Sequence, residues 1–252
     1  MPTFSELGLG VDVLKAIEAL GYQEPTPIQQ QAIPLLLSTP TDLVALAQTG
    51  TGKTAAFGLP LIDQLDFNSR DPLALILAPT RELCVQIAND LAKFAQFAPG
   101  ASIVPVYGGA AISTQIRSIK QGAHIIVATP GRLIDLLGRK AVKLHNVNVV
   151  VLDEADEMLN MGFKEDIDHI LASMPEERNI WLFSATMPPE ITRLTEQFLH
   201  NPVRVEVARA ATTASTITQG LIATHSGFQK RETLRRLIRD AEGFKNAIIA
   251  KV

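Results

Sequence analysis

Two segments of the chain carry residue types whose spacing could do chemistry. The first reads Ala47-Gln48-Thr49-Gly50-Thr51-Gly52-Lys53-Thr54. It follows the apolar run Leu43-Val44-Ala45-Leu46 and precedes the helix-compatible stretch Ala55-Ala56-Phe57-Gly58-Leu59, giving strand, glycine loop and helix in that order. Small residues at such a junction let successive backbone N–H groups turn inward around a polyphosphate, and the helix N-terminus adds a favourable dipole. Lys53 is then placed to reach the β- and γ-phosphates and the Thr54 hydroxyl to ligate Mg²⁺. The pattern G-x-x-x-x-G-K-[ST] is met except at its first position, Ala47. An ordinary turn with a solvated Lys53 is the plainer reading, but it leaves two glycines followed by Lys-Thr unexplained.

The second segment is Val149-Val150-Val151-Leu152-Asp153-Glu154-Ala155-Asp156. Four branched apolar residues suit a strand buried on both faces of a parallel sheet. Acids at the carboxyl end of such a strand lie in the crevice where open α/β sheets bind ligands. Asp153 is placed to hold Mg²⁺, directly or through water, and Glu154 to orient or deprotonate an attacking water. Helix capping is the alternative for this acidic pair, and the partnership with the glycine loop decides against it. Together the two segments read as an ATP site.

The elements that must position these residues alternate along the chain. Apolar runs suited to buried strands fall near 42–47, 73–78, 102–107, 124–128, 147–152, 180–184 and 203–207. Helical patterns lie between them, near 10–20, 27–37, 53–65, 81–97, 112–120, 131–138, 163–173 and 188–199. Such alternation implies crossover connections and a mainly parallel sheet with helices on both faces. Pro34, Pro60 and Pro72 punctuate the pattern, and Pro60 is the one expected to perturb a helix interior.

The two motifs, with others in the right order, resemble the DEAD-box RNA helicase family. Asp153-Glu154-Ala155-Asp156 matches its motif II letter for letter, and the departure at Ala47 is itself the family form, A-x-T-G-x-G-K-T. Gly21-Tyr22-Gln23-Glu24-Pro25-Thr26-Pro27-Ile28-Gln29 looks like the family's Q motif, with Phe4 as its isolated upstream aromatic. Downstream come Pro79-Thr80-Arg81-Glu82-Leu83, then Gly108-Gly109, Thr129-Pro130-Gly131-Arg132 and Ser184-Ala185-Thr186. The resemblance implies a RecA-like P-loop NTPase domain of α/β class, with ATP and Mg²⁺ as cofactors and RNA as partner.

Roles follow residue by residue from that resemblance. Gln29 has the amide needed to read the adenine edge, and Tyr22 a ring for the base to stack on, with ordinary packing as its alternative. Gln48, Thr49, Gly50, Thr51, Gly52, Lys53 and Thr54 are expected to cradle the phosphates, and Lys53, Asp153 and Glu154 to carry catalysis. Thr54 and Asp153 form the metal set. Asp156, Ser184 and Thr186 are expected to couple nucleotide state to RNA, with capping as the alternative for Ser184. Pro79, Thr80, Arg81, Gly109, Thr129, Gly131 and Arg132 are the expected RNA contacts, mainly to the backbone and so with little sequence preference. Pairing of Arg81 with Glu82 and of Arg132 with Asp135 is the competing reading.

Composition sets limits. At 252 residues, 46% hydrophobic and 19% charged, the chain can bury a large core. Its formal net charge of −3 is not the signature of a nucleic-acid-binding domain, so RNA contact must come from a local patch. No signal peptide and no spanning segment are seen, and Cys84 is the only cysteine, so the expectation is a cytoplasmic protein, with a monomer as the default. Cys84 reads as a buried, inert thiol, and the histidines show no ligand spacing.

After Val207 the composition turns small and polar. The expected division is a RecA-like ATP-binding domain over 1–208, a linker over 209–216 and the opening of a second such domain over 217–252. That last part comprises a strand-like segment from Ile217 to Thr224, a basic helix from Gln229 to Asp240 and the apolar run Ala247-Ile248-Ile249-Ala250. From residue 226 onward seven Lys and Arg stand against three Asp and Glu. No H-R-x-G-R-x-G-R-like segment occurs, so the arginines that a second domain normally closes over the γ-phosphate are missing from the sequence, and hydrolysis by this chain alone should be feeble. The chain reads as a fragment. A RecA-like DNA motor and a non-catalytic RNA- or protein-binding module are the competing functional readings.

Overall fold

The structure, a computed structural model, describes residues 2–207 and 227–240. The chain divides into two compact units, Met1–Arg209 and Ala210–Val252. The expected linker at 209–216, the strand-like segment at 217–224 and the apolar run at 247–250 lie outside the described residues.

In the first unit a single 3₁₀ turn, Phe4–Leu7, precedes α1 (Val11–Ala19) and α2 (Pro27–Ser38). Strand and helix then alternate: β1 (Leu43–Leu46), α3 (Lys53–Gln64), β2 (Ala74–Leu77), α4 (Arg81–Phe94), β3 (Ile103–Val106), α5 (Ile112–Gln121), β4 (Ile125–Ala128) and α6 (Pro130–Gly138). The series ends with β5 (Val149–Leu152), α7 (Ala155–Asn160), α8 (Lys164–Ala172), β6 (Asn179–Ser184), α9 (Pro189–Phe198) and β7 (Val203–Glu206). In the second unit the described residues form α10 (Gly227–Asp240), which exposes Arg231, Arg235 and Arg236, the last with its Nε 3.4 Å from Glu232.

All seven strands are parallel, in the order β3-β4-β2-β5-β6-β1-β7. Strand alternation divides the interior into two cores. Leu43, Ala45, Ala74, Ile76, Val151 and Phe183 face α1 to α4, where Ile28, Ile33, Phe57, Leu59 and Ile87 meet them. Val44, Leu75, Leu77, Val150, Leu152 and Leu182 face the opposite layer, with Leu133, Met158, Ile167, Ile170 and Ile191. A strand covered on both sides has no polar face, which is why Val149–Leu152 reads as a continuous apolar run. Pro105 sits in β3, which pairs with β4 alone, and an edge strand tolerates the missing N–H.

One local expectation, that Pro60 perturbs its helix, meets an unbroken helix, and one short helix was missed. Pro60 does not interrupt α3, and Pro34 likewise sits inside an unbroken α2. Each forfeits one helical hydrogen bond, to the carbonyl four residues earlier, while buried neighbours on both sides, Ile33 and Leu36 or Leu59 and Leu61, hold the turn in place. The six-residue α7 was not anticipated, because so short a helix shows no apolar period.

Candidate functional site

The carboxyl ends of the strands carry the glycine loop, the acids and the motifs downstream of them, while the Gly21–Gln29 segment runs from the end of α1 into α2. The loop after β1 holds Gly50 and Gly52 at φ +77° and +90°. At Gly52 a Cβ would lie 2.4 Å from Gln29 Nε2, so the position excludes side chains on two counts, backbone conformation and space. That proximity reflects a contact: Gln29 Nε2 donates to the Gly52 carbonyl at 3.1 Å, while its Oε1 accepts the Thr26 N–H at 2.9 Å. Gln29 is buried and ties the start of α2 to the glycine loop, keeping one amide N–H and one lone pair in reserve for a ligand. Thr26 and Gln29 stand at the spacing of a helix capping box, a signal legible in the sequence.

A cleft of about 680 Å³ opens along this loop. One end is lined by Phe4, Tyr22, Glu24 and Gln29, the middle by Thr49, Gly50, Gly52, Lys53 and Thr54, and the far end by Asp153 and Glu154. Tyr22 is 42% exposed, its ring 6.3 Å from that of Phe4 and 6.4 Å from that of Phe94. It therefore packs on one side and presents the other to the cleft. Phe4 is buried, so it both pins the N-terminal segment and lines the cleft. Gln48 and Thr51 are not among the lining residues: Thr51 Oγ1 donates to the Gln48 carbonyl at 2.7 Å, closing the loop on itself. Leu83, Gln86 and Asp90 of α4 also line the cleft, and nothing in the sequence distinguished them from ordinary helix positions.

The electrostatic centre is a buried pair. Lys53 Nζ lies 3.9 Å from Asp153 Oδ1 and has no hydrogen-bond partner, although the side chain is only 5% exposed. A buried ammonium without acceptors is costly, and an anion in the cleft would relieve it. Burial pushes the Asp153 carboxyl up to about 6, against the downward pull of Lys53, with Glu154 adding to the rise. Glu154 occupies the N-cap position of α7 at φ 50°, ψ 50°, an uncommon conformation for a residue with a side chain, and makes no side-chain cap. Its N–H donates to Asp153 Oδ1 at 3.0 Å. The capping alternative for this acidic pair therefore fails on geometry.

Beside the acids, Thr186 donates to Asp156 Oδ2 twice, from its N–H at 3.0 Å and from Oγ1 at 2.7 Å. Ser184 closes β6, fully buried, and its Oγ donates to the Thr186 carbonyl at 2.7 Å; the N-cap of α9 is Pro188, so Ser184 does not cap. Burial raises the Asp156 carboxyl, but the hydrogen bonds from Thr186, Ser184, Ala185 and Glu157 outweigh it and hold the group below its ordinary value.

The remaining motif residues gather on the other half of the sheet. Pro79, Thr80 and Arg81 follow β2, Gly109 follows β3, and Thr129, Gly131 and Arg132 follow β4. Thr80 caps α4, its Oγ1 accepting the Leu83 N–H at 3.2 Å, and Thr129 is the N-cap of α6. The Arg81 guanidinium sits over the Tyr107 ring at 5.0 Å, and Arg132 Nη1 donates to the Ala110 carbonyl and Gln115 Oε1, both at 3.1 Å. Among the described residues neither arginine pairs with an acid, and Asp135 instead binds Arg139 at 2.7 Å. Cys84 is buried beneath, its Sγ 3.0 Å from the Val127 carbonyl, and burial raises its thiol to about 11. Among the described residues no helix is long and apolar enough to cross a membrane.

Comparison with known proteins places this geometry. The sequence model of the DEAD/DEAH box helicase family matches residues 26–194. The chain is 49% identical over 236 residues to the DEAD-box ATP-dependent RNA helicase CshA of Bacillus licheniformis, covering 94% of this chain and 48% of that protein. It is 46% identical over 247 residues to the ATP-dependent RNA helicase DeaD of Escherichia coli K12, covering 98% of this chain and 39% of the relative. Among solved structures, a DEAD box protein from the hyperthermophile Methanococcus jannaschii superposes with TM-score 0.78 at 43% identity, over 81% of this chain and 55% of the other. The chain thus spans about half the length of the curated relatives it matches. Fold, motif order and sequence agree, and the chain belongs to the DEAD/DEAH box helicase family.

Proposed function

We propose that this chain is the nucleotide-binding half of an ATP-dependent RNA helicase, carrying the hydrolytic acids and part of an RNA-backbone site. The observation that carries the reading is Lys53: a buried ammonium with no hydrogen-bond partner, 3.9 Å from Asp153, in a cleft with Tyr22 and Gln29 at its other end. A nucleoside triphosphate matches that layout, with its base against Tyr22 and Gln29, and its phosphates along Thr49 to Thr54. Adenine is the fitting base, because its edge presents an amino donor beside a ring-nitrogen acceptor and the free capacity of the Gln29 amide is one acceptor and one donor. The hydroxyl of Thr54 and the carboxylate of Asp153 are hard oxygen donors and fit Mg²⁺, which supplies charge neutralisation on the phosphates when bound.

This chain's own residues then divide the work. Lys53 stabilises charge developing on the γ-phosphoryl oxygens, and Glu154 accepts the proton of the attacking water or holds it in line. Asp156, locked to Thr186, joins the strand that carries the acids to the strand that carries Ser184, so a shift at one is felt at the other. Arg81, Thr80, Gly109, Thr129, Gly131 and Arg132 offer cations and helix N-termini to an RNA backbone. We place the protein in a reducing cytoplasm, as a monomer.

Nucleotide binding and turnover test this reading, with single-stranded RNA absent and present, in the chain alone and joined to a complete second helicase domain. The expected result is ATP–Mg²⁺ binding by both, feeble turnover by the short form and RNA-stimulated turnover by the long one. Lys53→Ala should abolish binding, and Glu154→Gln should retain binding while removing turnover. Retained affinity in Lys53→Ala, or equal turnover in Glu154→Gln, would overturn the assigned roles. RNA affinity indifferent to every nucleotide would favour a non-catalytic module instead.

A further inference from the structure

Of the ten residues in α5, the one that is buried is polar: Gln115, 6% exposed. A helix lying on a protein surface normally buries apolar side chains, and here Ile112, Ile116 and Ile119 are only partly covered. A buried amide needs a partner at both its nitrogen and its oxygen. Gln115 has both: Nε2 donates to the Tyr107 carbonyl at 3.0 Å, and Oε1 accepts from Arg132 Nη1 at 3.1 Å. A guanidinium can only donate and a carbonyl only accept, so these two partners fix the amide's orientation without ambiguity. The same Arg132 nitrogen also donates to the Ala110 carbonyl at 3.1 Å.

The Tyr107 residue whose carbonyl Gln115 holds has the Arg81 guanidinium over its ring at 5.0 Å. Gly109, two residues on, leaves the room that Arg81 occupies, since a Cβ there would stand 3.2 Å from Arg81 Nη1. Gln115 therefore joins the segment after β3 to Arg132 after β4, alongside the direct bond from Arg132 to Ala110, and the Tyr107 ring carries the contact on to Arg81 after β2. We propose that Gln115 is a positioning residue of the RNA site: it holds the Tyr107–Ala110 loop and the Arg132 guanidinium in fixed register, and through the Tyr107 ring it sets Arg81. The inference rests on the RNA reading proposed above. No spacing signal marks Gln115 in the sequence, where it reads as an ordinary polar helix residue.

The test is the affinity of the chain for a fluorescein-labelled single-stranded RNA, measured beside its affinity for a fluorescent ADP. Gln115→Met keeps the side chain's length and removes both hydrogen bonds. RNA affinity should fall about tenfold, the scale of one buried polar group left unpaired, with ADP affinity within about twofold of the parent. In a double-mutant cycle, Gln115→Met should cost less in an Arg132→Met background than in the parent, because part of its effect passes through Arg132. Gln115→Glu retains the acceptor for Arg132 but sets a carboxylate against the Tyr107 carbonyl. It should therefore fall between parent and Gln115→Met, and it serves as the readout where Gln115→Met does not fold. RNA affinity unchanged in both Gln115 variants, equal losses for RNA and ADP, or an additive cycle would overturn the inference while leaving the RNA reading intact. A parent chain that binds no RNA overturns the RNA reading, and this inference with it.

Discussion

Asp153 shows how the site sets stability against function. Burial raises its carboxyl to about 6 from an ordinary 3.8, with Lys53 only partly offsetting the cost. An acid whose native pKa lies above its unfolded value favours the fold below the unfolded value, near 3.8, and that contribution is lost as pH rises through about 6. At pH 7.5 the charged carboxylate is therefore a burden on the native state. Two pK units correspond to roughly 3 kcal/mol, and the lost partner for the Lys53 ammonium takes back a share. Asp153→Asn is expected to raise unfolding stability by about 1 kcal/mol at pH 7.5, a gain that disappears below pH 4, while weakening ATP–Mg²⁺ binding. Thermal melts at both pH values decide this; a variant less stable at pH 7.5 would mean the contact with Lys53 outweighs burial. The Lys-Thr and Asp-Glu pairs were legible because their chemistry is written in adjacent letters. Asp90, Gln86 and Gln115 were not, because each becomes part of a site only through contacts made by other elements.

Helix and strand types followed from apolar period, and their ends followed less well. Strands predicted over 73–78 and 102–107 are regular only over Ala74–Leu77 and Ile103–Val106, although Leu73, Ala78 and Ser102 still make backbone hydrogen bonds across the sheet at those ends. The turn from β5 into α7 was invisible, as it depends on Glu154 adopting φ 50°, a conformation no residue type there announces. The glycine loop, in contrast, announces its geometry, and its two glycines make unequal demands. Both have positive φ, but nothing lies within 4 Å of a Cβ at Gly50, whereas at Gly52 it would displace the Gln29 amide. Gly50→Ala should therefore cost only the backbone strain, about 1 kcal/mol. Gly52→Ala adds the loss of the bond from Gln29 Nε2 to the Gly52 carbonyl and should cost about 2 to 3 kcal/mol, with a larger fall in adenine nucleotide affinity. Equal melting shifts for the two variants would show that Gln29 relocates without penalty and does not tie α2 to the loop.

At the scale of the molecule, alternation of strand and helix specified a parallel sheet but not the order of its strands. Order is set by which crossovers pack, and β6, late in the chain, inserts between β1 and β5. The result sorts the motifs. The glycine loop and the acids follow β1 and β5, with Ser184 ending β6 and Thr186 just beyond it, while the expected RNA residues follow β2, β3 and β4 in the other half of the strand order. The two sets adjoin where β2 pairs with β5, through a ladder of buried apolar residues from Ala74 opposite Val149 to Leu77 opposite Leu152, and along α4, which starts at Thr80 and Arg81 and lines the cleft with Leu83, Gln86 and Asp90. A rigid, close-packed ladder has one arrangement and offers no second state for a ligand to select. Coupling between sites requires two states that both ligands bias. In this chain, saturating single-stranded RNA should therefore change the dissociation constant for ATP–Mg²⁺ by less than about twofold. Joined to a complete second helicase domain, the same measurement should give a tenfold change or more, because closure of two bodies around both ligands supplies the missing second state. Strong reciprocal coupling in the chain alone would mean that the pair Asp156–Thr186, between the acids and the end of β6, switches within the first unit and needs no partner domain.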